Sequence, residues 1–144
     1  MLYVDDVLND KGHDVYAVMP TTTVFEALEV MADKNVGALV VLEDDLLIGI
    51  FSGRDYARRL ALQGKRSRET PVREIMTEVV ATVSLSHSVK DCMEVMTHQR
   101  VRHLPVVEDE RLIGLVSIGD VVKSIMSDQE FMIHQLENYI TGRV

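Results

Sequence analysis

Residues 100–120 read RVRHLPVVEDERLIGLVSIGD. Two apolar runs, Leu104–Val107 and Leu112–Val116, flank the acidic triplet Glu108-Asp109-Glu110. That is the pattern of two β-strands joined by a tight turn. The second run closes on Ser117-Ile118-Gly119-Asp120, a hydroxyl followed three residues later by a carboxylate. This spacing suits a helix start, where the pair takes up backbone N–H groups that have no partner inside the helix. Arg102 and His103, two potential cations, stand just before the first strand.

The same pattern occurs earlier, as NVGALVVLEDDLLIGIFSGRD over residues 35–55. Sliding the chain by 65 residues without a gap lays Val24–Asp55 on Val89–Asp120 with 14 identities in 32 positions. Chance would give roughly two, so the chain is a tandem duplication. The identities include Gly49/Gly114, Ser52/Ser117 and Asp55/Asp120.

Outward from this duplicated piece, each copy begins with a helix. Val24, Ala27, Leu28 and Met31 share one face of the first; Val89, Cys92, Met93 and Met96 share one face of the second. Thr23/Glu26 and Ser88/Asp91 have capping-box spacing at the two starts. Cys92 takes the place of Ala27 and reads as small core filler rather than a nucleophile. A strand is expected over Val15–Val18 before the first helix and another over Val79–Val83 before the second. Leu2–Lys11 reads as a short helix stopped by Gly12. A helix is expected from Asp55 to about Gln63, and Gly64–Thr70 reads as a polar linker. Val72–Met76 reads as a helical turn. Past Asp120 one helix is expected to about Met126, and a second over Asp128–Ile140 with Met132, Leu136, Tyr139 and Ile140 on one side.

Composition sets bounds on the rest. A chain of 144 residues with 47% hydrophobic content and mean hydropathy +0.07 can bury a core as one globular protein. No apolar run approaches the ~20 residues that span a bilayer, and Asp5 and Asp6 close behind Met1 do not resemble a secretion signal. One cysteine allows no intramolecular disulfide and fits a reducing compartment. The net charge of −8 argues against phosphate-backbone binding. The expectation is a cytoplasmic protein with no nucleic-acid or membrane partner. Among His13, His87, His98, His103 and His134 no metal-ligand spacing occurs, and no nucleophile elbow, Walker loop or dinucleotide fingerprint is present. No enzyme, catalytic residue or metal is expected.

The ungapped repeat, each copy ending G-[IL]-[FV]-S-x-x-D, resembles the CBS domain pair, named for cystathionine β-synthase. KGH near the start, RVRHLPV, SIGDVVK and QLENYITG resemble a subgroup of small, stand-alone CBS-pair proteins. The fold class expected is α/β (α+β), tandem CBS repeats, each β-α-β-β-α with its helices on one face of a small sheet, packed as a pseudo-twofold pair. The expected boundaries are an N-terminal helical segment (1–14), repeat 1 (15–63), a linker with a short helix (64–78), repeat 2 (79–126) and a C-terminal helix (127–144). The resemblance also implies two clefts between the repeats, and dimerisation of such pairs into a four-repeat disc. A homodimer is therefore expected, to which the Met132/Leu136/Tyr139/Ile140 stripe would contribute.

Ser52/Asp55 and Ser117/Asp120 carry two readings, and both can hold at once. They can be helix caps, contributing about 0.5–2 kcal/mol each. A helix N-terminus also collects anions, and an adjacent carboxylate can accept from two ribose hydroxyls. The resemblance implies that the Ser touches phosphate and the Asp holds ribose. It also implies that Arg102 and His103 supply basic groups to a nucleotide phosphate. Gly37 and Ala38 occupy the matching places in the first repeat, where a flat base could lie against the backbone, and Arg54 adds a cation at the first entrance. Phosphate recognition is expected at Ser52–Asp55, with Arg102 and His103 reaching across. The function implied is a regulatory sensor of adenine nucleotide, AMP, ADP, ATP or NAD(H), with S-adenosylmethionine sharing the same adenosyl chemistry. It would act on an unidentified effector protein or through its own oligomer, with no catalytic cofactor. The alternative is a structural or protein-interaction module with no bound nucleotide.

Overall fold

The structure is a computed structural model and describes residues 2–79 and 81–142. In chain order its elements are α1 (Val4–Lys11), β1 (Ala17–Val18), α2 (Val24–Lys34), β2 (Ala38–Glu43) and β3 (Leu46–Ser52). A single turn, α3 (Gly53–Asp55), continues as a π-helical segment, Tyr56–Ala61, and a 3-10 turn follows at Val72–Glu74. The remainder is β4 (Thr77–Glu78), α4 (Val89–Gln99), β5 (His103–Glu108), β6 (Arg111–Ser117) and α5 (Ile118–Thr141). The chain forms two compact units: Val15–Val80, and Ala81–Val144 joined by Met1–Asp14.

Each unit is built on the hairpin that the repeat encodes. β2 and β3 pair antiparallel from Ala38↔Ser52 to Glu43↔Leu46; β5 and β6 pair from His103↔Ser117 to Glu108↔Arg111. The two-residue turns, Asp44-Asp45 and Asp109-Glu110, hold both residues at positive φ, between 49° and 65°. A two-residue turn needs that backbone to follow the right-handed twist of its strands. The acidic side chains of both turns are exposed, as solvated charges should be. In the first unit β1 adds parallel to β2 and β4 antiparallel to β3, giving the sheet order β1-β2-β3-β4. In the second, Val83 makes a parallel bridge to Val106 beside the β5–β6 pair.

The capping spacings read from the sequence are present. Thr23 Oγ1 accepts from the Glu26 N–H at 3.2 Å; Ser88 Oγ accepts from the Asp91 N–H at 3.0 Å, and Asp91 accepts from the Ser88 N–H at 2.9 Å. Both helices end on a left-handed residue, Asn35 and Arg100. Their apolar faces enter two separate cores. Val24, Ala27, Leu39, Val41, Phe51, Val72 and Ile75 anchor one, and Leu8, Val89, Cys92, Met96, Leu104, Val106 and Val116 the other.

Each core is closed by a segment lying outside its hairpin. Val72 and Ile75 are fully buried in the first unit, and Val4 and Leu8 in the second. The repeated glycines mark where these segments press on the sheets. A Cβ at Gly49 would lie 2.5 Å from Met76 Sδ, and one at Gly114 would lie 2.7 Å from Leu8 Cδ1. The backbone contacts correspond as well. Val24 N–H donates to Thr70 O at 2.9 Å and Val72 N–H to Thr22 O at 2.8 Å; Val89 N–H donates to Leu2 O and Val4 N–H to His87 O, both at 2.9 Å. The segment at 70–76 therefore does for the first hairpin what 2–8 does for the second.

Three sequence expectations on local structure change. The strand expected over Val79–Val83 is divided: Thr77–Glu78 pairs with β3, Val79 N–H donates to Ile48 O, and Val83 bridges to Val106 in the other unit. Val80 lies outside the described residues. The two helices expected after Asp120 are one, because Ser127 and Asp128 neither break a helix nor find a competing cap; α5 runs until Gly142, at φ 75°. The helix after Asp55 widens to a π-helix instead of continuing as α. The α+β tandem-repeat architecture itself is as expected. Among the described residues no helix is long and apolar enough to cross a membrane.

Candidate functional site: the two Ser-x-x-Asp helix entrances

The carboxylate of each Ser-x-x-Asp turns back onto its own helix start. Asp55 Oδ2 accepts from the Ser52 N–H at 3.0 Å and from the Ser52 hydroxyl at 3.2 Å. Asp120 Oδ2 accepts from the Ser117 N–H at 2.8 Å, while Ser117 Oγ accepts from the Asp120 N–H at 3.1 Å. Both pairs therefore serve as caps, one of the two roles their spacing allowed.

Their other partners make the two entrances unequal. Asp55 is buried, and its second oxygen, Oδ1, accepts from the Thr77 hydroxyl at 2.9 Å. Asp120 is partly open, and Lys11 Nζ donates to its Oδ2 at 2.7 Å and to Leu115 O at 2.9 Å. Burial alone would raise the pKa of Asp120. The Lys11 ammonium and the Ser117 N–H outweigh it, and the carboxyl sits below its ordinary value. Among the described residues both hydrogen bonds to this carboxylate fall on Oδ2 and none on Oδ1. His13, in the loop after α1, lies against β6, its Nδ1 3.2 Å from Ile113 O. Thus Lys11 and His13 of the KGH segment lie along β6 and lead to Asp120.

The remaining expected residues fall beside these entrances. The register sets Ala38 opposite Ser52 and His103 opposite Ser117. Arg102 O accepts the Ile118 N–H at 2.8 Å, so the basic pair begins the strand next to its own repeat's helix start. Arg102 is exposed and His103 partly so. Gly37 is exposed at the foot of β2, with open space where a Cβ would stand, and Arg54 is half-buried inside the first turn. Thus Gly37, Ala38, Ser52, Arg54 and Asp55 gather in one unit, and Arg102, His103, Ser117 and Asp120 in the other.

Lys11 and Thr77, the outside partners of the two aspartates, were not singled out in the sequence. The 65-residue slide aligns the hairpins but not the segments carrying these residues, where Val4 corresponds to Val72 at an offset of 68. Only the order of apolar positions, Val4-Val7-Leu8 against Val72-Ile75-Met76, hints at the correspondence.

Comparison with known proteins agrees with this architecture. A family profile of the CBS domain matches residues 4–62 and 72–127. Each match begins with a closing segment, 4–8 or 72–76, that in the fold packs on the hairpin of the other match. The mitochondrial CBS domain-containing protein CBSX3 of Arabidopsis thaliana is 40% identical over 96% of the chain and 72% of its own length. A solved structure of a candidate signal-transduction protein with CBS domains from Burkholderia ambifaria is 45% identical, covering 88% of this chain and 96% of that one at a TM-score of 0.82. A CBS-domain-containing protein from Agrobacterium tumefaciens is 40% identical over 85% and 98%, at a TM-score of 0.78. The chain belongs to the CBS domain family, as a tandem pair of CBS repeats.

Proposed function

We propose that this CBS pair is a cytoplasmic, non-catalytic regulatory module that binds an adenine nucleotide, AMP or NAD(H) foremost, at its Ser-x-x-Asp helix entrances. The observation carrying the reading is the state of Asp120. Its carboxylate is held ionised and in place through Oδ2, while Oδ1 has no donor among the described residues. A ribose diol needs a fixed carboxylate of this kind. The Ser117 hydroxyl and the Gly119 N–H, at the start of the 24-residue helix α5, are donors suited to a phosphate, the Ile118 and Asp120 N–H groups being taken up by Arg102 O and Ser117 Oγ. Lys11 and Arg102 bring positive charge to the same entrance and His103 an imidazole, so the second repeat is the stronger candidate for a phosphorylated ligand. At the first entrance, Gly37 and Ala38 leave room for a base, and Arg54 supports the charge. Binding would order these elements, and an effector protein or a second copy of the chain would read the result.

A second reading has an observation of its own. Both oxygens of Asp55 already have donors, from Ser52 and Thr77, as a purely structural cap would. The two readings separate in a thermal-shift panel of adenosine, AMP, ADP, ATP, NAD+, NADH and S-adenosylmethionine. A ligand at 100 times its Kd contributes about 2.7 kcal/mol, an easily measured rise in the unfolding midpoint. A rise with AMP or NAD(H) that Asp120→Asn abolishes supports the sensor. No rise with any compound refutes it and leaves an interaction module.

A further inference from the structure

One stretch of the first unit carries charge opposite to that of the whole chain. Residues 58–73 hold six of the 15 Lys and Arg, namely Arg58, Arg59, Lys65, Arg66, Arg68 and Arg73, against one of the 23 Asp and Glu, Glu69, although the net charge is −8. All six cationic residues are exposed. Gly64–Thr70 reads as a linker in the sequence, yet its backbone is tied down from several sides. Lys65 N–H donates to Leu60 O at 3.1 Å, and Thr70 Oγ1 donates to Arg66 O at 2.8 Å. Its carbonyls also close the start of α2: Ser67 O accepts from the Phe25 N–H at 3.0 Å, and Thr70 O from the Val24 N–H at 2.9 Å. With Thr23 taking the Glu26 N–H, the first three N–H groups of α2 are engaged, so the side-chain cations are the groups here that seek an anion. Two of them are fixed beyond their backbone. The Arg68 guanidinium lies 3.8 Å over the Phe25 ring, and Arg59 donates to Met76 O at 2.7 Å. Stacking engages the face of a guanidinium and leaves its N–H fork for an acceptor in the ring plane.

We infer that this segment docks an acidic stretch of a partner protein, with Arg66 and Arg68 as its anchors. Charge complementarity selects the partner. Five of the six cations are arginine, whose planar fork matches a carboxylate through two parallel hydrogen bonds. Arg66 has only Glu69 near it, at 3.7 Å between side chains that are 81% and 69% exposed, a pair that a partner's carboxylate can replace at little cost. A backbone held in place and an arginine stacked on an aromatic ring also reduce the ordering that binding requires. Leu62, 83% exposed between Arg59 and Lys65, adds an apolar contact that a polypeptide can use and a phosphate backbone cannot. The excess of acids over the rest of the chain repels an extended polyanion, whether a nucleic acid or an anionic bilayer, whereas a short acidic peptide meets the basic segment alone. The surface uses none of the residues assigned to the nucleotide and does not depend on that reading.

Fluorescence anisotropy with a labelled peptide of repeating Asp-Glu-Leu tests it on the full chain. The wild type should bind this peptide, more weakly as salt is raised, and should not bind the Asn-Gln-Leu counterpart. Arg66→Glu/Arg68→Glu should lose about 10-fold or more in affinity. Arg58→Gln/Lys65→Gln, which leaves the Phe25 stack in place, should lose about threefold with unchanged circular dichroism. Lys90→Glu/Lys123→Glu, with the same net charge as the first variant but altered in the other unit, should bind as the wild type does. A wild type that ignores the acidic peptide overturns the inference, as does undiminished binding by both variants of the basic segment. An equal loss in Lys90→Glu/Lys123→Glu overturns it too, because binding would then follow net charge and not this surface. Tighter binding to duplex DNA or to phosphatidylserine vesicles than to the peptide would also overturn it, by assigning the segment to a nucleic acid or a membrane.

Discussion

Lys11 fastens the N-terminal helix to the second repeat, and its removal has a calculable effect. The ammonium makes two hydrogen bonds, to Asp120 Oδ2 at 2.7 Å and to Leu115 O at 2.9 Å. A hydrogen bond to a charged group contributes about 1.5–3 kcal/mol when sheltered and an exposed ion pair about 0.2–1 kcal/mol. The two side chains are 35% and 22% exposed, so the pair falls between these limits. Lys11→Met should therefore cost about 1–2 kcal/mol, lowering the unfolding midpoint by about 2–8 °C for a chain of this size. In a double-mutant cycle with Asp120→Asn, about 1 kcal/mol should appear as coupling. The pH dependence has a definite sign. The folded-state pKa of Asp120 is lowered, so its stabilisation is fully present above the unfolded carboxylate value of about 3.9 and is lost as pH falls through the lower, folded-state value. Urea unfolding of wild type, both single variants and the double at pH 7 and at pH 3 measures all of this. Effects that add within about 0.3 kcal/mol at pH 7 would refute the clamp, because the two groups would then be acting independently.

Other predictions follow from the cores and the basic pair. Ile75→Ala, which empties a fully buried site in the closing segment of the first unit, should cost about 2–5 kcal/mol in urea unfolding; a loss below 1 kcal/mol would mean that the segment is not part of that core. Burial in the second core, with Asp91 adding to it, pushes the Cys92 thiol up to about 11, so the native protein should resist thiol reagents at pH 8 and react on unfolding. Rapid reaction of the folded protein contradicts that placement. Arg102→Ala should weaken AMP binding about 10- to 100-fold in calorimetry while leaving adenosine binding unchanged. An equal loss for both compounds would mean that Arg102 supports the strand and not the phosphate.

The hairpins, the capped helices α2 and α4 and the Ser-x-x-Asp entrances were legible because each is local. Alternation, capping spacing and a two-residue acidic turn lie within one short stretch and recur at a fixed interval. The outside partners were not legible, because they depend on long-range closure. Lys11 reaches Asp120 from 109 positions away, and Thr77 reaches Asp55 from 22. No periodicity announces either contact. The divided strand around residue 80 was hidden for a related reason. Val79 and Val83 read as one apolar run, yet one pairs in the first unit and the other in the second. At the C-terminus the stripe on α5 was visible from residue 132 onward. Its continuity with Ile118 and Val122 emerged only once Ser127 and Asp128 proved to be helical. The cap role of the serine–aspartate pairs could be read from their spacing. The difference between Asp55, with donors on both oxygens, and Asp120, with donors among the described residues on Oδ2 alone, could not, since it is set by donors from elsewhere in the chain.

The most direct test of nucleotide recognition at these entrances is a calorimetric titration of AMP into wild type, Asp55→Asn and Asp120→Asn, with the unfolding midpoint of each protein recorded alongside. A ribose-holding carboxylate contributes charged hydrogen bonds of about 1.5–3 kcal/mol, so Asp120→Asn should weaken AMP about 10- to 100-fold. Asp55→Asn should weaken it less, since both of its oxygens already have donors. If AMP binds Asp120→Asn as tightly as wild type while that variant's midpoint falls, the carboxylate is a cap alone and the proposed site is wrong.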